Sequence, residues 1–390
     1  MRVGIFADSY LPYVSGVVRS IETFREELEK RGVIFFLFVP WYPGCQKEPN
    51  IYRFWALPAP TNPDFTLPLP FSPRLGSTLR SLKLDLIHVH GPFLMGSLGA
   101  RWARRLNLPL VFTYHTLYEA YVHYFPFLRS WARTLTRRYT VGFCNRCDLV
   151  LAPSLAIKKY LEQNGVKAPV EVLPTGIKLS SFRGGDREAF RLNFNLSLEE
   201  KVLVYVGRLG EEKNLRFLLR SFALVKKELE ATRLVLVGGG PQKEELEKLA
   251  RSLGVGQEVI FTGPLPPDKV KDAYAAADLF VIASLTETQG LVVGEAKAAG
   301  LPVVGVEANG VKEMVRHGLD GFLTPPDEKA FAAAVIRLLS DEELYRKFKQ
   351  EALKGAEELS SERQAERLLQ LYRQLVAGRD KMHEKDGSKA

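Results

Sequence analysis

The sequence predicts an α/β protein made of two doubly wound, Rossmann-like domains facing each other across a cleft. Three observations carry this. Short apolar runs alternate with amphipathic stretches of roughly ten to twenty residues along most of the chain, the pattern of β-α-β units. Several of the short runs, such as Leu149-Val150-Leu151, are apolar at every position, which suits parallel strands covered on both faces. The length, 390 residues, is that of two ordinary domains.

In the first half, strands are expected at Arg2–Phe6, Val33–Val39, Leu84–Val89, Leu110–Tyr114 and Leu149–Ala152. Helices are expected at Val17–Arg31, Met95–Leu106 and Phe127–Asn145, while Trp41–Leu75, rich in proline and aromatic residues, reads as irregular. In the second half, strands at Val202–Val206, Arg233–Val237, Val259–Thr262, Leu279–Ala283 and Val303–Val306 alternate with helices such as Leu215–Glu228, Lys243–Leu253 and Val292–Ala299. Pro174–Glu200 has no apolar strand and carries Gly184-Gly185, which places the junction there. Residues 1–178 then form the first domain, and 179–360 the second. Residues 361–377 form a C-terminal helix packing back toward the first domain, and the polar residues 378–390 a disordered tail. Ligands of such sheets bind at the C-terminal ends of the strands, so the chemistry belongs in the loops that follow them.

Two loops of the second half stand out. Val206 ends a strand, Gly207 and Gly210 make the turn, and Arg208 and Lys213 both fall before the helix that begins near Asn214. Helix N-termini attract anions, and a guanidinium with an ammonium beside one makes a diphosphate clamp. The second loop is Ser284-Leu285-Thr286-Glu287-Thr288-Gln289-Gly290, followed by a helix opening at Leu291 and Val292 that carries Glu295. Its free amides at Gly290, Leu291 and Val292 can take a phosphate. Glu287 on one side and Glu295 on the other suit a nucleotide sugar, one carboxylate for the hexose and one for the ribose. An exposed position for Glu295 is disfavoured by its apolar neighbours Val292, Val293, Ala296, Ala298 and Ala299.

With Gly207-Arg208-x4-Lys213, Val237–Pro241 (VGGGP), Glu287-x7-Glu295, Ala299–Val304 (AGLPVV) and Gly318-x2-Gly321-Phe322-Leu323 in this order, the chain resembles the retaining glycosyltransferases of the two-Rossmann-domain (GT-B) type, family 4-like, that carry an E-x7-E motif. The resemblance covers most of the chain. It implies that the amide of Gly16, in the loop Asp8-Ser9-Tyr10-Leu11-Pro12-Tyr13-Val14-Ser15-Gly16-Val17, approaches the donor diphosphate. It also implies that His115, closing the strand Leu110–Tyr114, contacts the donor sugar near the reaction centre, with His90 a weaker second candidate. Catalytic roles accordingly fall on His115, Arg208, Lys213 and Glu287. Thr286–Gly290, with Gln289 in place of the usual aromatic residue, together with the tyrosine-rich stretch around His115, Tyr118 and Tyr121, most resembles 1,2-diacylglycerol 3-glucosyltransferases. That implies α-linked transfer of glucose from UDP-glucose to a membrane lipid, with no cofactor and no metal. Lys178 departs from the family, which usually has Asp there, and is given no role.

Charge and cysteine content bear on partners. Residues 1–180 hold 22 basic and 12 acidic residues, a net +10, whereas residues 181–390 net −1. An anionic partner of the first half is expected. Arg129, Arg133 and Arg137 recur every fourth residue in the helix 127–145, beside Trp131, Leu135 and Tyr139. With Tyr118 and Tyr121 they form a candidate membrane and acceptor surface; otherwise the helix packs its apolar stripe on the sheet and shows only arginines to water. Three cysteines exclude a disulfide framework, and Cys144-x2-Cys147 lacks partners for zinc. The expectation is a cytoplasmic enzyme, peripheral on the inner face of the cell membrane, that binds no nucleic acid; the oligomeric state is open. Transfer from GDP-mannose or to a soluble acceptor, nucleotide-sugar epimerisation and nucleic-acid binding are the alternatives.

Overall fold

The computed structural model describes residues 1–59, 62–118 and 129–387. The chain divides into two compact units, one of residues 1–176 with 361–390, the other of residues 177–360.

The sheet of the first unit holds seven parallel strands: β1 (Arg2–Phe6), β2 (Ile34–Pro40), β3 (Ile51–Phe54), β6 (Leu86–Val89), β7 (Leu110–Thr113), β8 (Leu149–Ala152) and β9 (Val170–Val172). Their spatial order is β3-β2-β1-β6-β7-β8-β9. Chain order therefore reverses at β1, which pairs with β2 on one side and β6 on the other. The helices α1 (Gly16–Glu29), α2 (Leu75–Leu82), α3 (Leu94–Arg105), α4 (Arg129–Cys144) and α5 (Leu155–Gln163) connect the strands. Two apolar cores, one around Phe6, Phe38 and Phe112 and the other around Val3, Ile5 and Leu37, explain why the strands are apolar at nearly every position. Ser15 caps α1 by accepting from the Val18 amide at 3.3 Å.

The second unit has six parallel strands: β10 (Lys201–Val206), β11 (Thr232–Val237), β12 (Val259–Gly263), β13 (Leu279–Ile282), β14 (Val303–Val306) and β15 (Gly321–Thr324). Their order is β12-β11-β10-β13-β14-β15, so the reversal falls at β10. The helices are α6 (Arg187–Asn193), α7 (Leu215–Glu228), α8 (Lys243–Ser252), α9 (Val270–Ala276), α10 (Leu291–Ala298), α11 (Asn309–Met314), α12 (Glu328–Ser340) and α13 (Glu342–Glu357). Both units are thus Rossmann-like.

Three expectations are corrected. The segment 41–75 is not irregular: it holds β3, an edge strand of the main sheet, and the antiparallel pair β4 (Ala56–Ala59) and β5 (Asn62–Pro68). Pro58 and Pro68 are accommodated because a two-stranded ribbon leaves outward-facing backbone positions without a ladder partner. The unit boundary falls at 176/177 rather than 178/179, where the Ile177 amide donates to the Leu359 carbonyl at 2.7 Å. The expected disordered tail is a helix for most of its length, since α14 runs from Ser361 to Gly387. Its Ala365, Leu368, Leu369 and Tyr372 are buried in the first unit's core with Val18, Ile21 and Phe24 of α1, and that anchoring supports the polar turns beyond.

Candidate active site

In each unit, the two strands at the reversal point carry loops on their C-terminal ends, the place where doubly wound sheets bind ligands. In the second unit these are the loops after β10 and β13, which hold Arg208, Lys213 and Glu287. The structure brings Lys213 and Glu287 together: the Lys213 ammonium donates to Glu287 Oε1 across 74 residues of sequence. Both side chains keep some exposure, 19% and 17%. Arg208 is exposed and, among the described residues, carries no ion pair. Its carbonyl accepts from the Tyr205 hydroxyl at 3.1 Å, which fixes the turn.

The two loops are tied to each other below this pair. Ser284 Oγ donates to the Glu212 carbonyl at 3.0 Å, and Asn214 Nδ2 to the Ala283 carbonyl at 3.3 Å. The VGGGP turn has a packing role. Leu209 N donates to the Gly239 carbonyl at 2.8 Å, and a Cβ on Gly238 would meet the Gly207 carbonyl oxygen at 2.0 Å. On the far side, α11 buttresses the Glu287 loop: Gly310 N donates to the Glu287 carbonyl at 2.9 Å, and Asn309 Nδ2 to the Leu285 carbonyl at 2.6 Å. Sequence reading missed this support, although Asn309-Gly310 after a strand is a visible turn signal.

Gly290 caps α10 with φ +84°, a left-handed conformation that favours glycine. It leaves the first amides of α10, at Leu291 and Val292, as donors for an anion. Glu295 is buried, as its apolar neighbours require, and Tyr274 of α9 answers it, donating its hydroxyl to Glu295 Oε2 at 2.9 Å. Tyr274 was not legible from the sequence, being one apolar-face residue of a short helix.

In the first unit, Gly16 is the exposed first residue of α1. His115, just past β7, has Nε2 2.9 Å from His90 Nδ1, and the two rings stack at 5.1 Å. Beneath them His88 contacts Thr113 Oγ1 at 2.7 Å and the hydroxyl of Tyr372, from α14, at 2.5 Å. Burial pushes His88 and His115 down to about 3, and His90 well below its ordinary value, so these imidazoles are neutral. His90 is therefore in direct contact with His115 rather than a separate candidate.

Of the surface candidates, Arg133 and Arg137 of α4 are exposed, as are Trp131 (63%), Leu135 (52%) and Tyr139 (40%). The apolar stripe of α4 is therefore not packed on the sheet along those turns. Arg129 opens α4, and its side chain lies outside the described residues, as does Tyr121. Tyr118 is half-buried, with its ring edge-on to Tyr114 and Phe93. Cys144 and Cys147 are buried, and burial pushes the Cys144 thiol up to about 12 and Cys147 well above its ordinary value. Burial thus disfavours the thiolate form of both.

The fold and the strand-end loops define a glycosyltransferase of the GT-B class. Residues 186–355 match the family described as Glycosyl transferases group 1, and residues 14–181 match Glycosyltransferase Family 4. The chain is 36% identical, over 78% of its length and 70% of the relative's, to an alpha-monoglucosyldiacylglycerol synthase of Streptococcus pneumoniae. It is 32% identical, over 78% of its length and 80% of the relative's, to the synthase of the same name from Acholeplasma laidlawii. Mannosyl- and inositol-phosphate-directed glycosyltransferases also match. Among solved structures, the Anabaena protein HepE in complex with UDP-glucose shares the fold, with a TM-score of 0.75 at 20% identity over 95% of this chain and 99% of that one. The chain belongs to the group 1 glycosyltransferases with a family 4 N-terminal half.

The histidine cluster predicts a pH dependence of stability. In the unfolded chain these imidazoles titrate near 6.5, while in the folded unit they stay neutral down to about 3 for His88 and His115. Below pH 6.5 the unfolded state binds more protons, so their contribution is complete above that pH and is lost as pH falls toward 3. Asp8, raised to about 6 by burial, works in the opposite sense between its ordinary 3.8 and that value. The denaturation midpoint should therefore fall between about pH 7.5 and about pH 5, and His88→Gln should flatten the fall. An unchanged slope in His88→Gln would show that His88 is not held neutral.

Proposed function

We propose that the protein is a retaining glycosyltransferase that moves glucose from UDP-glucose to a diacylglycerol-type lipid at an anionic membrane surface, without a metal. The observation that carries the reading is the meeting of Lys213 and Glu287 at the reversal point of the second unit's sheet. A cation and a carboxylate converge there, next to the amides that open α10. The identity to two diacylglycerol glucosyltransferases supports the sugar and the acceptor. Among the described residues no helix is long and apolar enough to cross a membrane. The exposed arginines and aromatic rings of α4 suit binding at its surface instead.

In this reading Arg208 and Lys213 neutralise the charge that grows on the leaving diphosphate, the term expected to dominate such a transfer. The α10 amides at Gly290, Leu291 and Val292 hold its oxygens. Donor binding replaces part of the Lys213 contact on Glu287, freeing that carboxylate to accept from hexose hydroxyls. Glu295, steadied by Tyr274, accepts from the ribose. From the first unit the resemblance assigns the Gly16 amide to the diphosphate and neutral His115 to the sugar. An uncharged imidazole can donate to a hydroxyl without repelling an oxocarbenium-like centre. The acceptor proton leaves through the departing phosphate.

Nucleotide release from UDP-glucose should rise on addition of diacylglycerol vesicles containing anionic lipid and persist in EDTA. Release with GDP-mannose but not UDP-glucose, or donor conversion without acceptor, would replace this reading. Lys213→Ala should lower kcat by about a hundredfold or more. Its unfolding midpoint should barely move, because a partly exposed ion pair contributes only about 0–1 kcal/mol. Near-normal turnover would remove Lys213 from the chemistry.

A further inference from the structure

The loop that carries Gly16 owes its place to a side chain from another strand. Residues 8–15 lead from β1 to α1, where Ser15 caps the helix and Gly16 is its exposed first residue. Such a loop lies outside any ladder, and its own backbone contributes a turn bond from the Tyr13 amide to the Tyr10 carbonyl at 3.1 Å. Tyr10 anchors it to α1: the ring is buried, and its hydroxyl donates to Glu22 Oε1 and accepts from Arg25 Nη1 at 2.5 Å.

The second anchor is Arg53 of the edge strand β3. Its Nη1 donates to the Leu11 carbonyl at 2.9 Å and to the carbonyl of Pro40, at the end of β2, at 3.2 Å. Its Nη2 donates to Glu48 Oε1 at 3.0 Å, and the guanidinium lies over the Tyr10 ring at 5.8 Å. The side chain is only 10% exposed, so these contacts stand in for water. A rigid fork with five donors can tie three segments at once, whereas an ammonium or an amide offers fewer, differently placed donors. The fork is not needed to hold β3 in the sheet, because β3 already pairs with β2 from Leu37↔Ile51 to Pro40↔Phe54. What the head adds beyond that ladder is the tie to the loop at Leu11 and to Glu48.

We propose that Arg53 is a positioning residue of the donor site: bonded to the Leu11 carbonyl, it fixes the loop so that the Gly16 amide is aimed at the donor diphosphate. This rests on the reading that gives that amide to the diphosphate. Arg53 acts through the loop and not by touching the donor. A plain structural staple would change folding and leave donor affinity alone. A residue that touched the donor would act independently of Gly16.

The test is a double-mutant cycle read by calorimetry of the full chain with UDP and GDP; the nucleotide that the wild type binds serves for the cycle. Gly16→Pro deletes the amide at the first helical position, where proline fits, and Ser15 before it is already extended (φ −149°, ψ 170°). Gly16→Pro and Arg53→Gln should each weaken nucleotide binding by about tenfold. In the Gly16→Pro background, Arg53→Gln should add less than about twofold, because the two act on one contact. In turnover, Arg53→Gln should raise the donor KM by a similar factor and leave the acceptor KM unchanged. Arg53→Lys keeps the charge but cannot tie all three segments, and should lose only about threefold; it carries the same cycle if Arg53→Gln fails to fold. Unchanged binding in Gly16→Pro would take the amide off the diphosphate and the proposal with it. Weakened binding in Gly16→Pro with unchanged binding in the Arg53 variants, or losses that multiply in the double variant, would overturn the proposal and leave the reading of Gly16 standing.

Discussion

The contact between Lys213 and Glu287 is the constraint on which the second unit's site depends. A parallel sheet whose chain order reverses at β10 sends two loops from adjacent strands over the same edge. The loops are held as one piece by Ser284, Asn214 and the amide of Gly310, none of which bears charge. In the proposed reading, the ammonium and the carboxylate are therefore placed by these contacts before the donor arrives. Preorganisation of this kind is what makes charge stabilisation in a transfer reaction effective, since little reorganisation remains to be done at the transition state.

The first unit solves a different problem. Its sheet ends in neutral, buried imidazoles, while its surface carries the protein's excess charge. The neutrality is a consequence of burial and of mutual repulsion among histidines that cannot all be protonated. The positive charge lies instead on α3, α4 and α14, beside exposed aromatic and aliphatic side chains. The imidazoles at the strand ends are thus kept neutral, while the exposed face of α4 is cationic and amphipathic. Tyr372 joins the two, with its ring in the core and its hydroxyl on His88.

How much of this was legible in the sequence follows from the range of each interaction. Strands such as Leu149–Ala152 and Val202–Val206 announce themselves because a sheet covered on both faces leaves few polar positions. Arg208, Lys213, Glu287 and Glu295 were legible as loop and helix-start residues whose types and spacing fit one ligand. The pairing of Lys213 with Glu287 was not, since it depends on which strands become neighbours. Nor were Tyr274 beneath Glu295 or Tyr372 beneath His88, the latter 284 residues away in sequence. The ribbon of β4 and β5 was hidden by prolines that break long sheets but not an isolated pair. The helix beyond residue 377 was hidden because a segment rich in Lys and other charged residues reads as a solvated tail until its preceding turns are known to be anchored.

The central claim is glucosyl transfer with retention at the anomeric carbon. Proton NMR of the glycolipid formed from UDP-α-glucose and diacylglycerol tests it most directly. The account predicts a single glucosyl product with the small anomeric coupling of an α linkage. A β-linked product, or UDP-glucose left unconsumed beside an intact diacylglycerol, would contradict it.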